Sequence, residues 1–285
     1  MWWLVRMSSL ATRLMRPLGL LIRGVQDALL PQTCVIGGEW IPGGGPPTCA
    51  ACDAALTDIT QTHYCPRCGR TMPPPAVDSD GCARCKHESF WNVAGVVRIG
   101  AYEPPIRRLV TALKYGGRER NAELAGRLLA AALAARDWSR HLDYLVPVPM
   151  HWFRRWQRPC DHAALLAAVV ARELDVRLLR ACARIKHTPS QVVTTSRTQR
   201  FDNVRGCFAV RRGAPRKLAG RCVCIIDNLI STGATVHEVS KTLRRAGARR
   251  IYAAVIARTT LPGDIQATPP RTVGHDPPSD SAFDR

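Results

Sequence analysis

Negative charge is scarce in this chain: its 285 residues hold 22 Asp and Glu against 41 Lys and Arg, a formal net charge of +19. That imbalance favours anionic partners over acidic ones. Long apolar runs are missing too. Trp2, Trp3, Leu4, Val5 and Leu10 could suggest a leader, but Arg6, Arg13, Arg16 and Arg23 interrupt the segment, so it is much too short to span a bilayer and no transmembrane segment is expected. Leu14, Leu18, Leu21, Ile22, Val25 and Leu29 instead make an uneven helical stripe over residues 1–33, suited to packing or, as the lesser alternative, to resting on a membrane surface. No address for an oxidising compartment is visible either, which argues against disulfides and for a cytoplasmic location.

Cysteine, by contrast, is abundant and unevenly placed. Of twelve Cys, seven lie in the first 85 residues, and six of those form Cys-x-x-Cys pairs: Cys49/Cys52, Cys65/Cys68 and Cys82/Cys85. Two pairs across a short loop make a zinc ribbon, because each pair can aim both thiolates at one tetrahedral ion. Cys65, Cys68, Cys82 and Cys85 complete one such structural zinc site, with no open position left for a substrate. Cys34 has Gly37 where its own partner would stand, leaving Cys34, Cys49 and Cys52 as three ligands that His63 or Glu39 could complete. Three ligands supply less folding energy than four, so one zinc is expected rather than two. The later Cys160, Cys182, Cys207, Cys222 and Cys224 have no metal spacing and read as small core residues.

Residues 34–90 are rich in Gly, Pro and Cys with little periodicity, as metal-knit knuckles are. From residue 94 to 258 strands alternate with helices. Val93–Tyr102 reads as a strand, Pro104 and Pro105 open a helix carrying Ile106, Leu109, Val110 and Leu113, and Glu119–Arg136 forms a second helix. Tyr144–Pro149 is a short strand, Pro159–Leu174 a helix, and Ile251–Ala257 a last buried strand. Such alternation predicts an α/β fold with a parallel sheet. At 285 residues there is room for one substantial core, a small appended module and a Pro-, Asp- and Ser-bearing tail, 259–285, read as disordered.

The most informative stretch runs from Cys222 to Thr235. Val223–Ile226 is an apolar run bounded by Gly220 and Asp227, the mark of a parallel strand covered on both faces. Asp227 is therefore expected at a strand's carboxyl end, where open α/β sheets bind ligands. A helix follows, starting near Thr232–Thr235, with Val236, Val239, Leu243 and Ala246 on one face and Gly247 after its end. Ser231, Thr232 and Thr235 add hydroxyls to the unpaired N–H groups of its first turn, while Gly233 and Ala234 leave room for a phosphate. Asp227 and Asn228 could accept hydrogen bonds from two vicinal ribose hydroxyls. Helix capping at the end of an ordinary strand is the plainer alternative.

Ile-Ile-Asp-Asn-Leu-Ile-Ser-Thr-Gly-Ala-Thr resembles the phosphoribosyl pyrophosphate loop of type I phosphoribosyltransferases. The resemblance is greatest to the ComF family of competence-associated proteins, since it continues through Leu113-Lys114-Tyr115-Gly116-Gly117, Val146-Pro147-Val148-Pro149, Thr188-Pro189-Ser190-Gln191 and Arg200-Phe201-Asp202-Asn203. It covers roughly residues 34–258 as an ordered set, which is more specific than any single motif. It implies a phosphoribosyltransferase-like domain behind a double zinc ribbon, phosphoribosyl pyrophosphate with Mg²⁺ as ligand, and a link to DNA uptake or nucleotide metabolism. The uptake helicase machinery is then an expected partner. By the same resemblance Val148 lies in the pyrophosphate loop, with Lys114 and Arg154 adding charge, and Gln191, Arg200 and Asn203 lie in the flap.

This chain departs from that family at two places. Asn228 stands where a second aspartate is usual, and Arg158-Pro159-Cys160-Asp161-His162 replaces the usual Arg-Gly-Phe-Asn-Gln. An amide can bond a hydroxyl but gives no charge stabilisation to an oxocarbenium ion or Mg²⁺, so binding with weak or no turnover is expected. An active Mg²⁺-dependent transfer of phosphoribosyl to a nitrogen acceptor, with pyrophosphate release, is the alternative. A hood over the second substrate would have to come from the zinc module or from the residues between Arg184 and Phe208.

Charge supplies a separate argument. Residues 94–258 hold 31 Lys and Arg against 11 Asp and Glu, more than one phosphorylated sugar requires. Single-stranded DNA is a fitting partner, because Trp152, Phe153 and Trp156 interleave with Arg154, Arg155 and Arg158 and could stack bases while holding phosphates. Codon usage biased toward Arg, with those aromatics in a core, is the alternative.

Overall fold

The structure is a computed structural model that describes residues 32–41, 46–73, 77–78, 81–86, 92–115, 118–150, 160–186 and 197–260. The chain divides into two compact units, one to Asp53 and one from Ala54. Within the first, a knuckle is closed by the Thr33–Trp40 bridge. Helix α1, Ala50–Thr60, starts there, and its later turns bury Leu56 and Ile59. Little periodicity is visible in this Cys-rich region, and no sequence pattern announces the 11-residue helix.

In the second unit another knuckle, bridged Tyr64–Thr71, leads to a short antiparallel pair, β1 Val77–Asp78 and β2 Gly81–Cys82, and to helix α2, Ala83–Lys86. Then come β3 Gly95–Ala101, helices α3 Ile106–Tyr115 and α4 Arg118–Ala134, β4 Tyr144–Pro147, α5 His162–Leu174 and β5 Arg177–Leu178. Strand β6 Cys182–Arg184, helix α6 Arg197–Val204, β7 Phe208–Val210 and α7 Ala214–Leu218 follow. Strand β8 Cys222–Ile230, helix α8 Ala234–Arg245 and β9 Arg250–Arg258 complete the domain. These elements match the expected alternation, with α5 capped by Asp161, whose carboxylate accepts from the Ala164 N–H at 3.2 Å.

Five strands form one sheet in the order β3-β9-β8-β4-β5, every adjacent pair parallel. A parallel sheet needs both faces covered, and its middle strands are accordingly apolar and buried over Cys222–Ile226 and Ile251–Ala257. Val223, Ile225, Ile251, Ala253 and Val255 share a core with Val236, Val239 and Leu243 of α8. Elsewhere α4 meets α5 at Gly126, where a Cβ would lie 2.4 Å from Val169, so only glycine allows the two helices this close. The ring of Trp138 stacks on Tyr252 of β9 at 3.7 Å.

One expectation needs correction here. Strand β8 does not stop at Asp227 but continues to Ile230, because Asp227, Leu229 and Ile230 pair with Val255, Ala257 and Arg258 of β9.

Candidate functional site

The long β8 delivers its chain directly into a three-residue turn, Ser231–Gly233, and then into α8. Gly233 holds φ at 84°, a left-handed value that a side chain would strain. It occupies the N-cap position and has no side chain to cap the helix with, so the first turn of α8 keeps N–H groups for an anion. Thr232 is buried and accepts weakly from the Ala234 N–H at 3.4 Å, while Ser231 and Thr235 are half-buried at either side.

Asp227 and Asn228 are both half-buried one turn of chain earlier. The Asn228 N–H donates to Oδ1 of Asp227 at 2.8 Å. Asn228 Oδ1 is buried with no hydrogen-bond partner among the described residues, an acceptor whose pairing a ligand hydroxyl could supply. Beside this strand the Val148 N–H donates to the Ile226 carbonyl at 2.9 Å, which seats the chain after β4 against the same end of β8.

Of the residues expected in a flap, Arg200 and Asn203 lie on α6, framed by the antiparallel pair β6–β7. That ribbon was not legible in the sequence; its strands have three residues each, too few to show a period. Its far end is fastened to α8: the Gly206 N–H donates to Oε1 of Glu238 at 2.8 Å, and Phe201 meets His237 with ring centroids 5.8 Å apart. The segment thus packs on the helix that starts at the candidate phosphate turn. Arg154, Gln191 and the aromatic-basic run from Trp152 to Arg158 lie outside the described residues, and of Lys114 only the backbone, on α3, is described.

The predicted zinc ligands converge. Cys65, Cys68, Cys82 and Cys85 are all buried, with their sulphurs within 4.8 Å of one another. Cys65 and Cys85 are 3.9 Å apart and Cys68 and Cys82 3.7 Å, bracketing the spacing of about 3.8 Å that four Zn–S bonds of about 2.3 Å impose in a tetrahedron. Sharing protons in this pocket draws the Cys65 thiol down to about 4 through its hydrogen bond with Cys68. Burial pushes Cys85 up to about 12. All four can ionise together only around a cation, so the donor set fits structural zinc.

Basic residues flank this cluster inside the fold. The Arg258 guanidinium, 1% exposed at the end of β9, donates to the Cys68 carbonyl. Arg98 of β3 is 2% exposed, donates to Thr71 Oγ1 at 2.8 Å and lies over the Tyr64 ring at 5.1 Å. Burial lowers Arg98 to about 10. A zinc ion with four thiolates carries two net negative charges, which offsets part of the desolvation of these cations. The Val96 N–H also donates to the Pro66 carbonyl at 2.7 Å, so knuckle and sheet share backbone bonds. In the sequence Arg258 is marked only as a lone basic residue closing an apolar strand.

Comparison with known proteins agrees with the fold and with the cysteine-rich module. Residues 159–267 match the phosphoribosyl transferase domain model and residues 25–91 the double zinc ribbon domain model. Competence protein F of Haemophilus influenzae is 29% identical over 211 residues, spanning 73% of this chain and 90% of that protein. DNA utilization protein YhgH of Escherichia coli is 30% identical over 218 residues, spanning 74% and 90%. Adenine phosphoribosyltransferase of Mycobacterium marinum is 30% identical over 114 residues, spanning 40% and 59%. Among the described residues no helix is long and apolar enough to cross a membrane.

Proposed function

The chain belongs to the ComF family of phosphoribosyltransferase-like competence proteins, and from that premise we propose that it binds phosphoribosyl pyrophosphate at the β8–α8 turn. In this reading it serves DNA uptake or nucleotide metabolism and turns the sugar phosphate over weakly or not at all. The observation that carries the reading is the left-handed Gly233 at the head of α8, which offers the helix no side chain of its own, with Thr232 buried beside it. A 5-phosphate would sit there among the hydroxyls of Ser231, Thr232 and Thr235 and the open N–H groups. Asp227 and Asn228 orient the ribose hydroxyls, the unpartnered Oδ1 of Asn228 accepting one of them.

Val148, Lys114 and Arg154 flank the pyrophosphate, and Gln191, Arg200 and Asn203 close over it. Mg²⁺, when bound with the ligand, supplies positive charge at the ribose and pyrophosphate oxygens. The missing carboxylate at Asn228 weakens that charge stabilisation, hence the low turnover. A second reading, active transfer to a nitrogen acceptor, is supported by the intact Ser-Thr-Gly-Ala-Thr turn. There catalysis would rest on holding the reacting atoms in place.

The names of the relatives, competence protein and DNA utilization protein, support a role beside incoming DNA, and the surplus of basic residues supports single-stranded DNA as a partner. The uptake helicase machinery and a cytoplasmic location belong to the same reading. Titration with phosphoribosyl pyrophosphate and Mg²⁺, following pyrophosphate release against candidate acceptors, separates the two readings. Saturable binding without release is expected; brisk release favours the second, and no binding removes both. Binding of single-stranded DNA at two salt concentrations tests the charge argument, which a flat response would defeat.

A further inference from the structure

The first knuckle repeats the backbone hydrogen bonds of the second. In each, the leading cysteine N–H reaches the carbonyl five residues on, Cys34 to Glu39 at 2.6 Å and Cys65 to Arg70 at 2.8 Å. In each, a glycine N–H returns to that cysteine's carbonyl, Gly38 at 2.9 Å and Gly69 at 2.7 Å, and both glycines have φ of 76°. Gly37 therefore stands where Cys68 stands in the complete set. A Cβ built on Gly37 would lie 3.2, 3.6 and 3.9 Å from the sulphurs of Cys52, Cys34 and Cys49, so the absent fourth side chain would have entered their common centre.

Those three sulphurs nonetheless lie within 4.8 Å of one another; no fourth His, Cys, Asp or Glu among the described residues comes that close to all three, the Glu39 side chain hydrogen-bonding to Cys49 alone. Exposure separates the two clusters further. Cys68 is fully buried, whereas Gly37 is exposed and Cys49 and Cys52 are half-buried. The vertex that Cys68 closes in one ribbon faces solvent in the other.

We propose that Cys34, Cys49 and Cys52 hold a second zinc ion as a three-thiolate tripod whose fourth position, beside Gly37, takes an exchangeable ligand from solution: water at rest, or a small thiolate. Each thiol releases its proton on metal binding. Soft thiolates select zinc over hard cations such as Mg²⁺. Three protein ligands with one open vertex make a coordination sphere of the kind that exchanges ligands, unlike the closed four-cysteine site. This goes beyond the phosphoribosyl reading and does not depend on it.

The test uses the full-length protein loaded with zinc, and separately with Co²⁺. Two metals per chain are expected, one released to a coloured chelator about 100-fold faster than the other, the upper end of what loss of an outer-shell partner alone does to metal affinity. Added 2-mercaptoethanol should shift the visible bands of one Co²⁺ and leave the other unchanged. Gly37→Cys should slow the fast release and abolish the 2-mercaptoethanol response. Cys34→Ser should remove the fast metal alone with an unchanged circular dichroism spectrum, which keeps the test valid if Gly37→Cys fails to fold. One metal per chain, with Cys34, Cys49 and Cys52 freely alkylated in the zinc-loaded protein, overturns the proposal. So do two metals released at equal rates with no thiol response.

Discussion

The guanidinium of Arg258 donates to the backbone carbonyl of Cys68. Arg258 also ends β9, where it pairs with Ile230, the last residue of β8 before the Ser231–Gly233 turn. One side chain thus joins a zinc ligand's backbone to the strand end that presents the candidate phosphate turn. Arg258→Met removes this guanidinium and leaves a buried carbonyl short of a donor, a loss of about 1–3 kcal/mol. Urea unfolding followed by circular dichroism reads that loss directly; an unchanged midpoint contradicts the coupling.

Metal removal has a wider effect. Cys65, Cys68, Cys82 and Cys85 share a continuous buried cluster with Val96, Val223, Ile225 and Val255, so ribbon and sheet have no seam along which to melt separately. Chelation, or Cys68→Ser, should lower the melting temperature of the whole second unit in one transition, because metal binding energy is folding energy. Two resolved transitions, with the sheet unmoved, would show the ribbon to be an independent module.

Helix packing gives a sharper steric prediction. At Gly126 a Cβ would sit 2.4 Å from Val169. Gly126→Val should cost about 1–3 kcal/mol through overpacking of α4 against α5. Val169→Ala in the same chain should recover part of that loss. Purely additive effects in a double-mutant cycle would contradict direct contact.

Burial pushes the Cys182 thiol up to about 12 and moves Cys224 in the same direction. A raised folded-state pKa means the contribution is present below the unfolded value of about 8.5 and lost as pH climbs toward the folded one. Stability should fall above about pH 8.5, and Cys182→Ala should make that fall shallower. Unfolding midpoints at neutral and alkaline pH check the sign.

Zinc chemistry was readable from spacing alone, since Cys65/Cys68 and Cys82/Cys85 encode their own geometry. The run Val223–Ile226 was readable because a strand covered on both faces leaves no place for polar residues. Its continuation through Asp227 and Asn228 was not, as ladder bonds to Val255 and Ala257 are made by backbone and carry no side-chain signature. Helix α1 was hidden for a related reason: only Leu56 and Ile59 of Ala50–Thr60 are buried, too few to set a helical rhythm. The pairing of Arg258 with Cys68 spans 190 positions, beyond any local pattern.

Calorimetric titration of phosphoribosyl pyrophosphate with Mg²⁺ into the wild-type chain, Asp227→Asn and Gly233→Val tests the phosphate-turn assignment most directly. Saturable binding is expected of the wild type, weakened about tenfold or more in both variants by loss of a charge-assisted hydrogen bond and by a side chain in the anion's path. No heat from the wild type, or equal affinity in all three, would contradict that assignment.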